Sequence, residues 1–200
     1  MRRWRFYPLL EGRDEDRADD CSRKDDPTEG NPRCYHGCMI ASLQEVAERV
    51  RKLQSAGKKI VFTNGCFDIL HSGHIEILRS ARDLGDVLVV AINSDTSVVR
   101  IKGPDRPIIP AHERAELLNG FEMVDFVCLF DEDTPLNAIL KIHPDILVKG
   151  ADWTNNIVGQ HEVEGWDGKV VVLPLVEGCS TSGIMERVLA RYGHTGKTNS

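Results

Sequence analysis

Two histidines three residues apart, His71 and His74, flank Gly73 where a turn gives way to a helix-like run. Physically this is a place for phosphate. A helix N-terminus presents unpaired N–H groups and a partial positive charge. Gly65 and Gly73 let a ligand approach the backbone, and two imidazoles add donors aimed at one point. Metal binding competes for paired histidines, but helical zinc sites use a spacing of four and a third ligand. Two incidental surface histidines are the plain alternative. The local context argues against it. Lys59-Ile60-Val61-Phe62-Thr63 reads as a strand, and the turn Asn64-Gly65-Cys66-Phe67-Asp68 links it to the histidines.

A second set of polar groups, Ser180-Thr181-Ser182, opens the last helix-like run. Such residues cap helices. Their hydroxyls and the free N–H groups beside them also make a phosphate cradle. Lys102 and Arg106 lie in a loop rich in Gly and Pro between a strand and a helix, where phosphate-gripping residues are often placed. Arg114 is a third candidate cation. Other chemistries lack their signatures. No G-x-G-x-x-G follows the first strand and no G-x-S-x-G occurs. Gly196-Lys197-Thr198 resembles the end of a phosphate loop, but Arg191 stands where its first glycine belongs.

These groups need elements whose ends converge. Apolar spacing predicts a helix over 42–55, and a second from Ile75 to Leu84 closed by Gly85. Val87 to Ile92 is apolar throughout, as in a strand covered on both faces. A short helix spans His112 to Leu118, and Phe126 to Phe130 is the third strand. Thr134-Pro135 reads as a helix start. Ile146 to Val148 and Val170 to Leu173 complete five strands, and the last helix ends near Gly193. The alternation predicts an α/β fold, a Rossmann-like three-layer sandwich around a five-stranded parallel sheet. Ligands then belong at the carboxyl ends of the strands, near the switch in strand order.

The chain has 200 residues, 41% apolar and 28% charged, with a net charge of −6. A core is affordable, a nucleic-acid coat is not indicated, and no apolar stretch is long enough for a membrane span. Residues 1–38 carry eight of the Lys/Arg and nine of the Asp/Glu, with little apolar content after Leu10. They read as a disordered tail, or as an over-extended translation start ahead of Met39. Met39 opens a helix-like run, giving a functional domain over 39–193 and a flexible end over 194–200. Cys21, Cys34, His36 and Cys38 in the tail lack the paired spacing of a zinc site. With no secretion signal and single cysteines elsewhere, a reduced, cytoplasmic protein is expected.

Thr63-Asn64-Gly65-Cys66-Phe67-Asp68-Ile69-Leu70-His71-Ser72-Gly73-His74 resembles the H-x-G-H nucleotidyltransferases of the cytidylyltransferase-like superfamily. Further matching stretches are Ala91 to Asp95, Lys102 to Ile108, Phe130 to Pro135, Val148 to Trp153 and Pro174 to Ser182. Within the superfamily the second and fifth are similar to the heptose 1-phosphate adenylyltransferase branch. The resemblance runs from about Val61 to Arg187. It implies adenylyl transfer from ATP to a sugar 1-phosphate, with D-glycero-β-D-manno-heptose 1-phosphate as acceptor and ADP-heptose and pyrophosphate as products. Lipopolysaccharide core or another surface glycan would be the destination.

The resemblance assigns catalysis to His71, His74 and Lys102. It assigns nucleotide contacts to Thr63, Asn64, Gly65, Phe67, Asp68, Lys149, Gly150, Asp152, Ser180, Thr181 and Ser182. Acceptor contacts fall to Asn93, Arg106, Arg114 and Trp153. Mg²⁺ would be held mainly by the ATP phosphates. A homo-oligomer and a separate upstream sugar kinase are implied, since the family is often fused to a kinase and the length here is taken up by the transferase. A cytidylyltransferase acting on glycerol 3-phosphate or another alcohol phosphate is the alternative. That branch carries Arg-Thr where this chain has Leu175-Val176, and a further arginine where it has Glu122.

Overall fold

The computed structural model describes residues 34–35, 38–151, 157–176 and 178–193. The order is β1 (Cys34–Tyr35), β2 (Cys38–Ile40), α1 (Leu43–Ser55), β3 (Ile60–Gly65), α2 (Ser72–Arg82), β4 (Val87–Asn93) and α3 (Asp95–Lys102). It continues with α4 (Ala111–Asn119), β5 (Phe126–Phe130), α5 (Leu136–Ile142), β6 (Ile146–Gly150), α6 (Gln160–Gly165), β7 (Lys169–Leu173) and α7 (Thr181–Tyr192). Among the described residues one sheet holds the strands in the order β1-β2-β5-β4-β3-β6-β7. Every pairing is parallel except β1 with β2.

The sheet therefore has six parallel strands and an antiparallel edge strand, where the sequence predicts five parallel strands. The five expected strands are β3 to β7. The addition is β2, which lies where the sequence reads as the opening of a helix. Three residues after a charged segment carry no strand pattern of their own. Pairing makes them a strand: the Met39 N–H donates to Asp125 O at 3.1 Å and the Ala41 N–H to Val127 O at 3.1 Å. Helix α1 starts only after Ser42, whose hydroxyl accepts the Glu45 N–H while the Glu45 carboxylate takes the Ser42 N–H. The reciprocal pair satisfies two of the helix's unpaired donors.

Neighbouring residues of each central strand pack on opposite faces. Phe62, Val89 and Leu147 join Val46, Val50, Ile139, Ile142 and Val163 from α1, α5 and α6 in one core. Val61, Leu88, Val90, Ile92 and Val148 join Leu78 and Ala81 of α2 and Ala115 and Leu118 of α4 in the other. Fully burying each large side chain contributes roughly 1.5–3 kcal/mol. Two dry faces explain why β4 is buried at all seven positions. From β3 the chain moves to β4 and β5 on one side, then returns to β6 and β7 on the other. The reversal lies between β3 and β6, and their carboxyl ends, Gly65 and Gly150, lie at the expected ligand edge.

Two helices differ from the sequence expectation. The loop read around Lys102 is preceded by α3, capped by Ser94, whose hydroxyl accepts the Ser97 N–H at 3.0 Å. Helix α5 begins at Leu136 with Pro135 at its cap position and no side-chain cap bond. Pro lacks a donor that the first turn would leave unpaired anyway.

Candidate active site

The turn between β3 and α2 sets the site. Phe67 and Ile69 both hold φ at +49°. Such left-handed backbone in bulky residues costs about 1–3 kcal/mol each, so the surroundings must hold it. Gly65 makes room, since an added Cβ would lie 3.2 Å from the Phe67 ring. The turn delivers His71 to the cap position of α2 in extended backbone.

His71 and His74 stack, ring centroids 3.9 Å apart and planes 26° from parallel. The Phe67 ring lies 5.3 Å from His74 on a tilt. The His71 N–H donates to His74 Nδ1 at 3.4 Å. A neutral His74 then carries its proton on Nε2, a donor free to face a ligand. Burial pushes the His74 imidazole down to about 4, with the neighbouring His71 charge adding to it. Burial also lowers His71. The pair is therefore uncharged near neutral pH.

Helix α7 meets the same place. An added Cβ on Gly73 would fall 3.0 Å from both Cys179 Cβ and His71 Nδ1. Only glycine lets the α7 lead-in come this close. Ser72 Oγ and Cys179 Sγ lie 3.2 Å apart. The Thr181 hydroxyl donates to Asp68 O at 2.7 Å. Ser180 Oγ accepts the Gly183 N–H at 3.0 Å, which leaves its own hydroxyl proton to donate. Two helix N-termini with their free N–H groups thus lie side by side. Ser182 is exposed on the first turn of α7.

At the switch point the buried Lys149 ammonium donates to Asn64 Oδ1. The hydroxyl of Thr63 is buried and donates to Val148 O at 3.2 Å, tying β3 to β6. Lys102 ends α3 exposed and makes no ion pair among the described residues. Burial pushes the Cys66 thiol up, and the field of Lys102 is the largest influence opposing it.

Several residues expected to meet ligand are engaged with other groups of the protein. The Asp68 carboxylate accepts Arg106 Nε at 2.6 Å, the Ile109 N–H at 2.9 Å and the Ile108 N–H at 3.0 Å. Burial alone would push it up, but those N–H groups and Arg106 together hold it below the usual carboxylate range. Arg114 is fully buried, and its guanidinium donates to Ile109 O, Cys66 O, Asn93 O and Asp95 Oδ1. Asn93 donates through Nδ2 to Ser97 Oγ at 2.9 Å and accepts from Cys66 Sγ at 3.8 Å. Asp152 and Trp153 lie outside the described residues, as do Cys21 and His36 of the tail.

The structure thus brings His71, His74, Asn64, Lys149, Ser180 and Thr181 to the strand ends, with Arg106 held through Asp68. Thr63, Asp68, Asn93 and Arg114 support them from beneath. The sequence reading missed Asp95 and the Ile109 peptide as partners of this support. The Ser-Asp-Thr opening of α3 was the available signal for Asp95. A backbone group such as that of Ile109 leaves none.

Residues 62–187 match the family model for cytidylyltransferase-like proteins. The bifunctional protein HldE of Syntrophotalea carbinolica is 51% identical over 152 residues, covering 76% of this chain and 30% of that protein. HldE of Trichlorobacter lovleyi is 47% identical over 154 residues, covering 76% of this chain and 31% of that protein. The chain therefore spans under a third of the length of these curated relatives. A crystal structure of the lipopolysaccharide core biosynthesis protein from Thermoplasma volcanium GSS1 is similar at 30% identity with a TM-score of 0.51, covering 60% of this chain and 98% of that one. The matched stretch runs from the middle of β3 into α7 and so contains the histidine pair and both helix N-termini, and on that ground the chain belongs to the cytidylyltransferase-like family.

Proposed function

We propose that the protein transfers an adenylyl group from ATP to a sugar 1-phosphate, with D-glycero-β-D-manno-heptose 1-phosphate as the acceptor. The observation that carries the reading is the neutral, stacked His71–His74 pair set between the N-termini of α2 and α7. An oxygen of the acceptor phosphate attacks the α-phosphorus of ATP. The new P–O bond forms as the bond to the bridging oxygen of the β-phosphate breaks, and pyrophosphate leaves with that electron pair. A phosphate monoester is already an anionic nucleophile, so positioning and charge stabilisation suffice.

In this reading His74 and His71 donate to the α-phosphate oxygens, where charge grows in the transition state. The Ser180 hydroxyl, the Thr181 backbone N–H and the start of α7 receive the β- and γ-phosphates. Lys102 and Arg106 balance the incoming acceptor phosphate. Mg²⁺ would be carried mainly by the triphosphate. The Asp68 carboxylate is engaged by three N–H donors, and no group of three or more His, Cys, Asp or Glu among the described residues could hold a metal. This donor set fits a metal that arrives with the nucleotide and neutralises phosphate charge.

The name of the Thermoplasma volcanium relative supports a carbohydrate acceptor. The bifunctional naming of the longer relatives supports a partner activity elsewhere, here taken as a sugar kinase that supplies the 1-phosphate. Exposed Val188 and Leu189 on α7 support a homo-oligomer. No helix among the described residues is long and apolar enough to cross a membrane. Leu175-Val176 and Glu122, in place of arginines, favour ATP over CTP.

The test is pyrophosphate release with each of four nucleoside triphosphates, crossed with a panel of sugar and alcohol phosphates. ATP with heptose 1-phosphate should turn over fastest. Equal or better rates with CTP and glycerol 3-phosphate would replace this reading with the cytidylyltransferase one.

A further inference from the structure

Three segments of the site meet at one residue. The side chain of Asp68 is 1% exposed. Its two oxygens take the N–H of Ile108 at 3.1 and 3.0 Å, the N–H of Ile109 at 2.9 Å and Arg106 Nε at 2.6 Å. A carboxylate offers about four lone-pair positions, and three N–H donors, one of them shared between both oxygens, engage it. Meanwhile its backbone carbonyl takes the Thr181 hydroxyl of α7 at 2.7 Å.

The Ile109 peptide is gripped from the other side as well. Its carbonyl accepts Arg114 Nε at 2.9 Å. The same guanidinium reaches Cys66 O at the end of β3, Asn93 O at the end of β4 and Asp95 at the start of α3. One loop, running from Lys102 to Ile109, is therefore fastened at its far end through both the N–H and the C=O of a single residue. Its near end is Gly103, with φ at +97° and open space where a Cβ would stand. There the Gly103 N–H donates to Val99 O at 2.9 Å and its carbonyl accepts the Arg106 N–H at 3.2 Å, so the near end is tied only to α3 and to the loop itself, while the far end is tied to the β3–α2 turn.

We propose that Asp68 is a positioning residue. Together with Arg114 it fixes the Lys102–Ile109 loop against the β3–α2 turn, and through Thr181 it registers that loop against the helix end that holds the triphosphate. The inference rests on the adenylyl-transfer reading and adds a division of labour to it. The loop carries the cations for an acceptor phosphate monoester, α7 carries the leaving group, and Asp68 sets the distance between them. In-line displacement is sensitive to that distance, since a misplacement of about 1 Å can cost on the order of 10²-fold in rate.

The experiment uses the full chain and two variants, Asp68→Asn and Arg114→Lys. Asn cannot accept all the N–H groups that the carboxylate accepts, and Lys keeps the charge of Arg114 without its fork. Each variant should raise the KM for heptose 1-phosphate roughly tenfold or more and lower kcat, while the Kd of a non-hydrolysable ATP analogue stays within about threefold. Because both act on the Ile109 peptide, the double variant should lose little beyond the worse single one.

Amide hydrogen exchange supplies a readout independent of turnover. Pro107 and Pro110 have no N–H, so the stretch 107–110 reports Ile108 and Ile109 alone. Both should be protected in the unmutated protein and exchange faster in Asp68→Asn. Fast exchange of both in the unmutated protein overturns the proposal, even if neither variant folds. So does an Asp68→Asn protein whose acceptor KM is normal and whose affinity for the ATP analogue falls tenfold, which would make Asp68 a nucleotide contact. A lowered thermal midpoint with normal kinetics would make the role merely structural. If the unmutated protein turns over no substrate pair, the functional reading fails, and the exchange result still decides whether Asp68 holds the loop.

Discussion

His71 and His74 lie face to face with ring centroids 3.9 Å apart, and each disfavours a positive charge on the other. Two imidazolium ions at that separation would repel strongly in a partly buried site. The stack therefore favours donors without charge, suited to the anionic substrate of the proposed reaction, whose acceptor phosphate would meet cations at Lys102 and Arg106. Replacing either histidine with Ala should lower kcat by ~10²–10³ through loss of one transition-state donor. Affinity for ATP should change far less, because the two helix ends remain. Stopped-flow turnover and the thermal midpoint, measured on the same two proteins, check this. Lost stability with unchanged kcat would make the pair structural.

The same burial gives a pH signature. His74 has its imidazole lowered from the ordinary 6.5 to about 4 in the folded protein. Between those values the unfolded chain binds the proton and the folded one does not, so stability rises with pH across that window. The contribution is fully present above about 6.5 and is lost as pH falls toward 4. Unfolding midpoints from pH 7 to pH 4 should decline less steeply in His74→Ala than in the unmutated protein. Parallel curves would mean that His74 does not carry the shift.

Gly73 separates the two helix ends by the width of a missing methyl group. In Gly73→Ala the new Cβ would press on Cys179 Cβ and His71 Nδ1, each 3.0 Å away. Overpacking of this kind costs roughly 1–3 kcal/mol, and here relief would come from moving His71 or the α7 lead-in. Turnover should fall by more than the stability loss alone predicts. A variant with full kcat would show that the approach of α7 to α2 is slack.

Strand β2 makes a further test. Removing residues 1–41 deletes Met39, which is buried and pairs with Phe126, and uncovers the edge of β5. The thermal midpoint should drop clearly. Removing residues 1–33 should leave midpoint and turnover close to those of the full chain, because that charged stretch cannot bury much apolar surface. Equal midpoints for the two truncations would show that β2 contributes nothing.

The sequence made the strands legible where burial on both faces wrote an apolar run, as in Val87 to Ile92. It made the candidate site legible because Gly73, the two histidines and Ser180 each answer a local geometric need. It could not show β2, whose extended backbone is imposed by β5 rather than by Met39 and Ile40. Nor could it show which polar groups face ligand. Asp68 and Arg114 are the residue types that bind phosphates and sugars, and only the fold shows them turned toward the peptide of Ile109. Helix α3 was obscured because Lys102-Gly103-Pro104 reads as loop, although the helix runs right up to Lys102.

Helix α7 buries none of its twelve residues, yet its first turn is where the departing pyrophosphate would rest. Short helices are marginal without a packed face, so within a single subunit this one should open more readily than α2, which buries Leu78 and Ala81 in the core. The leaving group would then sit on a hinged gatepost while the reacting centre stays on masonry. Turnover could be limited by that gatepost swinging outward rather than by bond breaking, a step common to many enzymes. Amide exchange faster in α7 than in α2, slowed by added pyrophosphate, is the expected sign. Equal protection of the two helices would mean that the exit lies elsewhere.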